Sequence, residues 1–328
     1  MHALKLNGVM GEGNTDSFEK NVLMDLAMNN NDEKFAVESG PGNLIYIRGK
    51  RINLDELVNS QLSDKGYIKT LNKQMLSAKP YQHIVTQDWF NPTLLELIHE
   101  EFDLVKQLNW RKVHYTYQNT YRSHPNPTLG AASTLYFNLV NSGWFLGLLS
   151  QITKVEDLLP DPMLYGGGLH ETRRGGAFGV HTDFTCHINN GLRNEMVFIT
   201  YLNKNWDSSW SGALELWDSE SQHCVRKVEP EFGHSILMRN GKVNYHGHPT
   251  PLNSPPDIIR RSVTSYYYTN PLAKEMREQR VQNLYLSPEL LIFPADTSAY
   301  AQAKKFVRMF VPPILWDAMG KITMHKAP

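Results

Sequence analysis

Three residues in this chain have the types and spacing of a metal-binding face: His181, Asp183 and, well downstream, His246. On an extended strand, positions i and i+2 point the same way, with Cα atoms about 6.6 Å apart. His181 and Asp183 can then both reach one ion at about 2.1 Å. A helix would turn them apart, so the pair demands a strand. The preceding Gly175-Gly176-Ala177-Phe178-Gly179-Val180 favours a turn entering one. The third ligand is expected from a neighbouring strand, where Tyr245-His246-Gly247-His248-Pro249 offers two histidines. We choose His246, with His248 as the fallback. Two histidines and a carboxylate leave coordination positions open, the ligand set associated with non-haem iron. The same set suits a hydrolytic zinc site, and thirteen histidines make chance pairing a competing account.

An arginine strand favours iron with an acidic co-substrate. Arg261-Ser262-Val263-Thr264-Ser265-Tyr266-Tyr267-Tyr268 reads as a strong strand. Alternation groups Arg261, Val263, Ser265 and Tyr267 on one face, taken here as the inner one. Arg260 then points outward as a surface charge. A buried arginine is costly without a partner, and a carboxylate bound in bidentate fashion supplies one. The competing assignment for Arg261 is an ion pair with a structural Asp or Glu.

Several short strands must position these groups. They are expected at Phe178–Asp183, Met196–Leu202, Ala213–Trp217, Cys224–Val228, Ser235–Met238 and Arg261–Tyr268. Short strands at near-regular spacing suggest a sandwich or barrel. Upstream, His83–Thr86 reads as a strand. Asn91-Pro92 then opens a helix, with Asn as cap and Pro in the first turn. Leu94, Leu97, Ile98 and Phe102 form its apolar stripe. A second helical pattern runs from Thr134 toward Leu148. The predicted layout is a partly helical N-terminal extension over 1–77, a main domain over 78–272 and a helical C-terminal extension over 273–328. Within the extensions, helices are expected over 18–28, from Asn53 onward, over 301–310 and over 314–322.

The bulk numbers set bounds. A chain of 328 residues buries a sizeable core without staples. Lys+Arg and Asp+Glu balance at 33 each, which removes any whole-chain argument for nucleic acid or an anionic membrane. Two cysteines, Cys186 and Cys224, make no disulfide framework and fit a reducing compartment. The sequence has neither a signal-peptide run nor a twenty-residue apolar span. A soluble cytoplasmic protein is expected.

From about Pro80 to Asn270 the sequence resembles the prolyl-4-hydroxylase-like group of Fe(II)/2-oxoglutarate-dependent dioxygenases. The resemblance rests on Tyr201-Leu202-Asn203-Lys204-Asn205-Trp206 and Ser211-Gly212-Ala213-Leu214-Glu215-Leu216-Trp217, lying between the two ligand segments. Val228-Glu229-Pro230, His246-Gly247-His248-Pro249 and Arg261-Ser262 continue it in order. It implies a mainly β fold with flanking helices, a double-stranded β-helix or jelly roll. It also implies iron held by His181, Asp183 and His246, and 2-oxoglutarate held by Arg261 with help from Tyr201. O2 is the remaining co-substrate. The loop from His246 to Arg261 is longer than in the protein-modifying prolyl hydroxylases, which points to the bacterial and biosynthetic branch.

The expected reaction is hydroxylation of an unactivated C–H bond of a small-molecule or amino-acid-derived substrate, with release of succinate and CO2. Desaturation or cyclisation is the variant outcome. In related halogenases a small residue replaces the carboxylate ligand, so Asp183 disfavours halogenation. Phe178, Phe184 and Tyr267 are candidate pocket residues, and Arg173-Arg174 is a candidate contact for an anion or a solvated loop. The alternatives are a peptidyl prolyl hydroxylase and, in a different class, a non-catalytic jelly-roll binding module.

Overall fold

The computed structural model describes residues 42–104 and 110–270, together with the backbone of 37–39 and 284–285. The expected helices over 18–28, 301–310 and 314–322 lie outside these residues.

The first described elements form a three-stranded antiparallel sheet, β1 (Val37–Ser39), β2 (Leu44–Ile47) and β3 (Lys50–Asn53). The helix expected from Asn53 is only a short 3-10 turn over Leu54–Glu56; Asn53 caps it by accepting from Asp55 N. Helix α1 starts later, at Lys65–Ser77, with the Asp64 carboxylate accepting from Tyr67 N at 2.7 Å. Strand β4 (His83–Thr86) follows as expected. Helix α2 (Pro92–Leu104) starts at its proline, and Asn91 Oδ1 accepts from Leu94 N at 3.2 Å. The second helical pattern is two helices, α3 (Ala131–Val140) and α4 (Gly143–Thr153), because Asn141-Ser142 breaks it and Ser142 caps the second.

The remaining strands are β5 (Arg111–Tyr115), β6 (Gln118–Arg122), β7 (Leu159–Pro160), β8 (Gly168–Thr172), β9 (Ala177–Thr182), β10 (Arg193–Tyr201), β11 (Leu214–Trp217), β12 (Cys224–Val228), β13 (Ser235–Arg239), β14 (Tyr245–His248), β15 (Arg260–Thr269) and β16 (Leu284–Tyr285). With β4 they form one antiparallel sheet. Its main path runs β12-β11-β14-β9-β6-β8-β15-β10-β13-β4. Strands β5, β6 and β8 did not stand out in the sequence, because Arg-Lys-Val-His-Tyr and Gln-Asn-Thr-Tyr-Arg are too polar to alternate clearly.

The sheet curls into a nearly closed barrel. Val197 and Tyr201 of β10 pack in one cluster with Leu214 and Leu216 of β11 and Val228 of β12, strands at opposite ends of the path. This is the mainly β jelly roll with flanking helices that was expected. Alternation along β10 assigns the faces. Val197, Ile199 and Tyr201 face the barrel interior, whereas Met196, Phe198 and Leu202 join the helical layer. Against them pack Leu94, Leu97, Ile98 and Phe102 of α2, Tyr136 of α3 and Phe145 of α4. Ile47, Ile52, Leu71 and Met75 belong to the same cluster, so residues 42–77 are packed onto the helical layer.

One buried carboxylate joins three of these elements. Glu101 of α2 accepts from Ala132 N and Ser133 N at 2.8 Å each, and from Ser133 Oγ at 2.6 Å, at the start of α3. Anions are favoured there by the unpaired amides and the helix dipole. Arg48, from the turn joining β2 to β3, completes it at 3.0 Å. Among the described residues no helix is long and apolar enough to cross a membrane.

Candidate metal and co-substrate site

His181 and Asp183 sit at the end of β9 and just beyond it, and β14 pairs with β9 so that His246 lies opposite His181. The pairing then shifts register: His248 lies opposite Phe178 rather than two residues from His181. Such irregularities re-aim side chains beside sites. Here the shift separates the two histidines that the sequence could not rank. Gly247 makes the close approach possible, since a Cβ there would meet Gly179 O at 2.6 Å and Phe178 O at 2.8 Å.

His181, Asp183 and His246 each offer a ligand atom, all within 4.8 Å of one another, and all three residues are buried. His181 Nε2 lies 3.5 Å from Asp183 Oδ1, and His246 Nε2 lies 3.7 Å from Asp183 Oδ2. His248 is outside this group, with Nε2 at 3.4 Å from Thr172 Oγ1. The backbone sets the rings. His181 Nδ1 is 2.7 Å from Gly179 O, and His246 Nδ1 is 3.3 Å from Asn244 O. With Nδ1–H donating to a carbonyl, the Nε2 lone pair is left to bind a metal. Phe178 stacks on His181 at 3.9 Å between centroids, fixing its plane.

The electrostatics suit a cation. Burial alone would raise the Asp183 carboxyl, but His246 and His181 beside it hold it below the ordinary carboxylate range. Burial pushes His246 down to about 4, so its ring is neutral and free to coordinate. Asp183 Oδ2 and Tyr201 Oη are buried without a hydrogen-bond partner among the described residues. Buried polar atoms are rarely left unpaired, and a metal with its co-substrate satisfies that demand. The donor set therefore fits iron.

The arginine strand has the opposite phase to the one expected. The cavity beside the metal group, about 80 Å³, is lined by Arg260, Ser262, Thr264 and Tyr266. Register explains it: Ser262 pairs with Tyr201, Thr264 with Ile199 and Tyr266 with Val197, all on the inner face. Arg261, Val263, Ser265 and Tyr267 face the helices instead. Arg261 donates through Nη1 and Nη2 to the two Asp103 oxygens at 2.9 and 2.5 Å, and its Nε lies 3.2 Å from Glu171 Oε1. The competing structural ion pair is thus what its geometry provides. Tyr267 likewise is no pocket residue, since its hydroxyl donates to Val140 O at 2.9 Å in the helical core.

Arg260 is buried on the cavity wall. Its Nε donates to Gly212 O at 2.8 Å, and its guanidinium lies 5.0 Å from the Tyr201 ring centroid. Burial pushes its pKa down, with the Tyr201 hydroxyl opposing. Among the described residues no carboxylate lies within ion-pair distance of it. Tyr201 and Phe178 both line the cavity. Phe184 lines a neighbouring cavity and packs on Tyr266 at 4.9 Å. Arg173 pairs with Glu171 at 3.1 Å, and Arg174 donates to Ser254 O at 2.7 Å, so neither enters the metal cavity. Arg260 and Tyr266 were missed. Only the strand partner of Tyr201, which the sequence does not show, fixes the phase of β15.

Residues 167–268 match the family model of the 2OG-Fe(II) oxygenase superfamily. That stretch runs from β8 nearly to the end of β15, and contains every candidate ligand. The superfamily whose model matches uses Fe(II), 2-oxoglutarate and O2. Among solved structures, a Pseudomonas putida prolyl-4-hydroxylase is similar at a TM-score of 0.47 and 14% identity, covering 62% of this chain and 100% of that one. A Trichoplax adhaerens prolyl hydroxylase, solved with a hypoxia inducible factor peptide fragment, gives 0.49 and 14%, covering 68% and 97%. HygX from Streptomyces hygroscopicus, solved with nickel, 2-oxoglutarate and hygromycin B, gives 0.42 and 11%, covering 62% and 93%. No curated protein matches the chain by sequence.

Proposed function

We propose that this protein is an Fe(II)- and 2-oxoglutarate-dependent hydroxylase. Its substrate is a small-molecule or amino-acid-derived biosynthetic compound, attacked at an unactivated C–H bond. The observation that carries the reading is the buried group of His181, Asp183 and His246 beside Arg260, a buried guanidinium with no carboxylate within ion-pair distance among the described residues. In this reading His181, Asp183 and His246 hold the iron. Arg260, in place of Arg261, pairs with the distal carboxylate of 2-oxoglutarate, flanked by Tyr201.

When bound, the iron and its co-substrate supply the oxidising power, coupling conversion of 2-oxoglutarate and O2 to succinate and CO2 with attack on the C–H bond. The chain supplies position and dryness. The carbonyls of Gly179 and Asn244 hold the ligand histidines in the tautomer that exposes Nε2. Val197, Ile199 and Leu214 give the cavity an apolar wall that excludes water. Asp183 fills the position that would have to be vacant for halide, which supports hydroxylation over halogenation.

The test is anaerobic addition of Fe(II) and 2-oxoglutarate. The expected result is the visible charge-transfer band of the chelate in wild type, and its loss in Asp183→Ala. Absence of the band from correctly folded wild-type protein sinks the reading. A zinc hydrolase or a metal-free binding barrel would give no band.

A further inference from the structure

A second cavity, of about 330 Å³, opens beside the metal group and shares Asp183 with it. It is larger than the cavity of about 80 Å³ lined by Arg260. Phe184 and Thr185 form one wall. The start of β10, the end of β13 and the loop after it form the others.

The charged groups of this cavity are arranged around Glu195. That carboxylate is buried, and both its oxygens are taken. Oε1 meets Arg193 Nε and accepts from Thr269 Oγ1 at 2.5 Å, and Oε2 lies 3.0 Å from Arg239 Nη2. Glu195 thus holds two guanidinium groups at the cavity. Lys242 stands exposed at the rim. Apart from Asp183, three cations face one carboxylate here. Arg239 also carries an unmet demand: its Nη1 is buried with no hydrogen-bond partner among the described residues. Burial pushes the Arg239 pKa down against the pull of Glu195, so this cation is held at a desolvation cost. A buried donor left unpaired beside an excess of positive charge is the arrangement that an anion relieves.

We propose that this cavity is the substrate subsite and that it selects a small molecule bearing an oxyanion, held by the Arg239 guanidinium and Lys242. The assignment rests on the iron reading above, because Asp183 is what brings the subsite to the reacting centre. It narrows the substrate class from any small molecule to a small acid or phosphate ester.

The experiment uses the full chain loaded anaerobically with Fe(II) and saturating 2-oxoglutarate. Three probes are titrated by calorimetry: N-acetyl-L-alanine, its neutral analogue N-acetyl-L-alaninamide, and methyl phosphate. At least one anion is expected to bind about tenfold or more tightly than the amide, with the chelate band retained. Which anion does so tells carboxylate from phosphate. Lys242→Ala, at an exposed position, and Arg239→Met should each reduce that preference at least threefold. Equal binding of all three probes overturns the proposal. So does a preference that survives both substitutions, or binding that removes the chelate band and so reports competition for the co-substrate. If wild type gives no band at all, it is the iron reading that fails, and the subsite fails with it; the two failures are therefore distinguishable.

Discussion

Arg260 and Arg261 are neighbours in the chain, yet their guanidinium groups serve opposite sides of β15. Arg260 lines the cavity beside the metal group, and Arg261 forks onto Asp103 of α2 at the back of the sheet. Paired substitutions should separate a co-substrate anchor from a structural clamp. Removing one partner of a desolvated charge pair costs about 2–5 kcal/mol, so Arg260→Met should weaken 2-oxoglutarate binding by about 30-fold or more. Its melting temperature should change little. Arg261→Met should do the reverse: a lower melting temperature with 2-oxoglutarate affinity kept within a few fold. Titration of the chelate band and thermal denaturation read the two effects. The reverse pattern would return the anchor to Arg261.

His246 and His248 give a second separation. His246→Ala should abolish stoichiometric iron binding, because it removes one of three ligand atoms grouped within 4.8 Å. His248→Ala should retain iron, since His248 lies outside that group and pairs opposite Phe178. Metal content of protein purified with Fe(II) decides between them. Iron lost from His248→Ala but kept by His246→Ala would reverse the assignment.

The metal-free protein should lose stability in acid through His246 and His170. Burial pushes His246 and His170 down to about 4 each. The unfolded chain, with histidines near 6.5, then binds more protons than the folded one between about pH 6.5 and pH 4. Stability rises with pH across that window, is fully present above it, and is lost as pH falls through it. Melting temperature in the presence of a chelator should therefore drop from pH 7 to pH 4.5. Iron should hold His246 neutral and protect part of the loss. A flat profile over this range contradicts the burial assigned to both rings.

Glu101 predicts a stability effect far from the site. It is buried and takes two amides and a hydroxyl at the start of α3, together with Arg48. Glu101→Ala leaves the first amides of α3 unmet and Arg48 with only the part-exposed Glu100 as its ion-pair partner, a loss on the order of 3–5 kcal/mol for one partner of a buried pair. Denaturant unfolding should show the drop. Iron content of the folded fraction should be unchanged, because no Glu101 contact reaches the barrel interior.

How much of this was legible in the sequence depends on how many faces of each element are buried. β12 and β4 were found to the residue, and the strand expected for His181-x-Asp183 is present but ends at Thr182, one residue short of Asp183. α2 was readable because its stripe, its Asn91 cap and Pro92 agree. The phase of β15 was not readable. Both of its faces are buried, one against the barrel interior and one against helices, so hydrophobic alternation carries no sign. Each phase also begins with an arginine and includes a tyrosine. Only the pairing of Ser262 with Tyr201 decides. The choice between His246 and His248 was closed for the same reason, because a register shift leaves no mark in the sequence.

Glu171 gives the clamp at Arg261 a further meaning. It lines the cavity, yet one of its oxygens lies 3.2 Å from Arg261 Nε and the other 3.1 Å from Arg173 Nη2. A free carboxylate in that wall would compete with Asp183 for the cation and repel an acidic co-substrate. Neutralised from behind, it becomes wall material. Arg261 therefore insulates the chamber: it offsets from behind a negative charge in the wall that Arg260 shares.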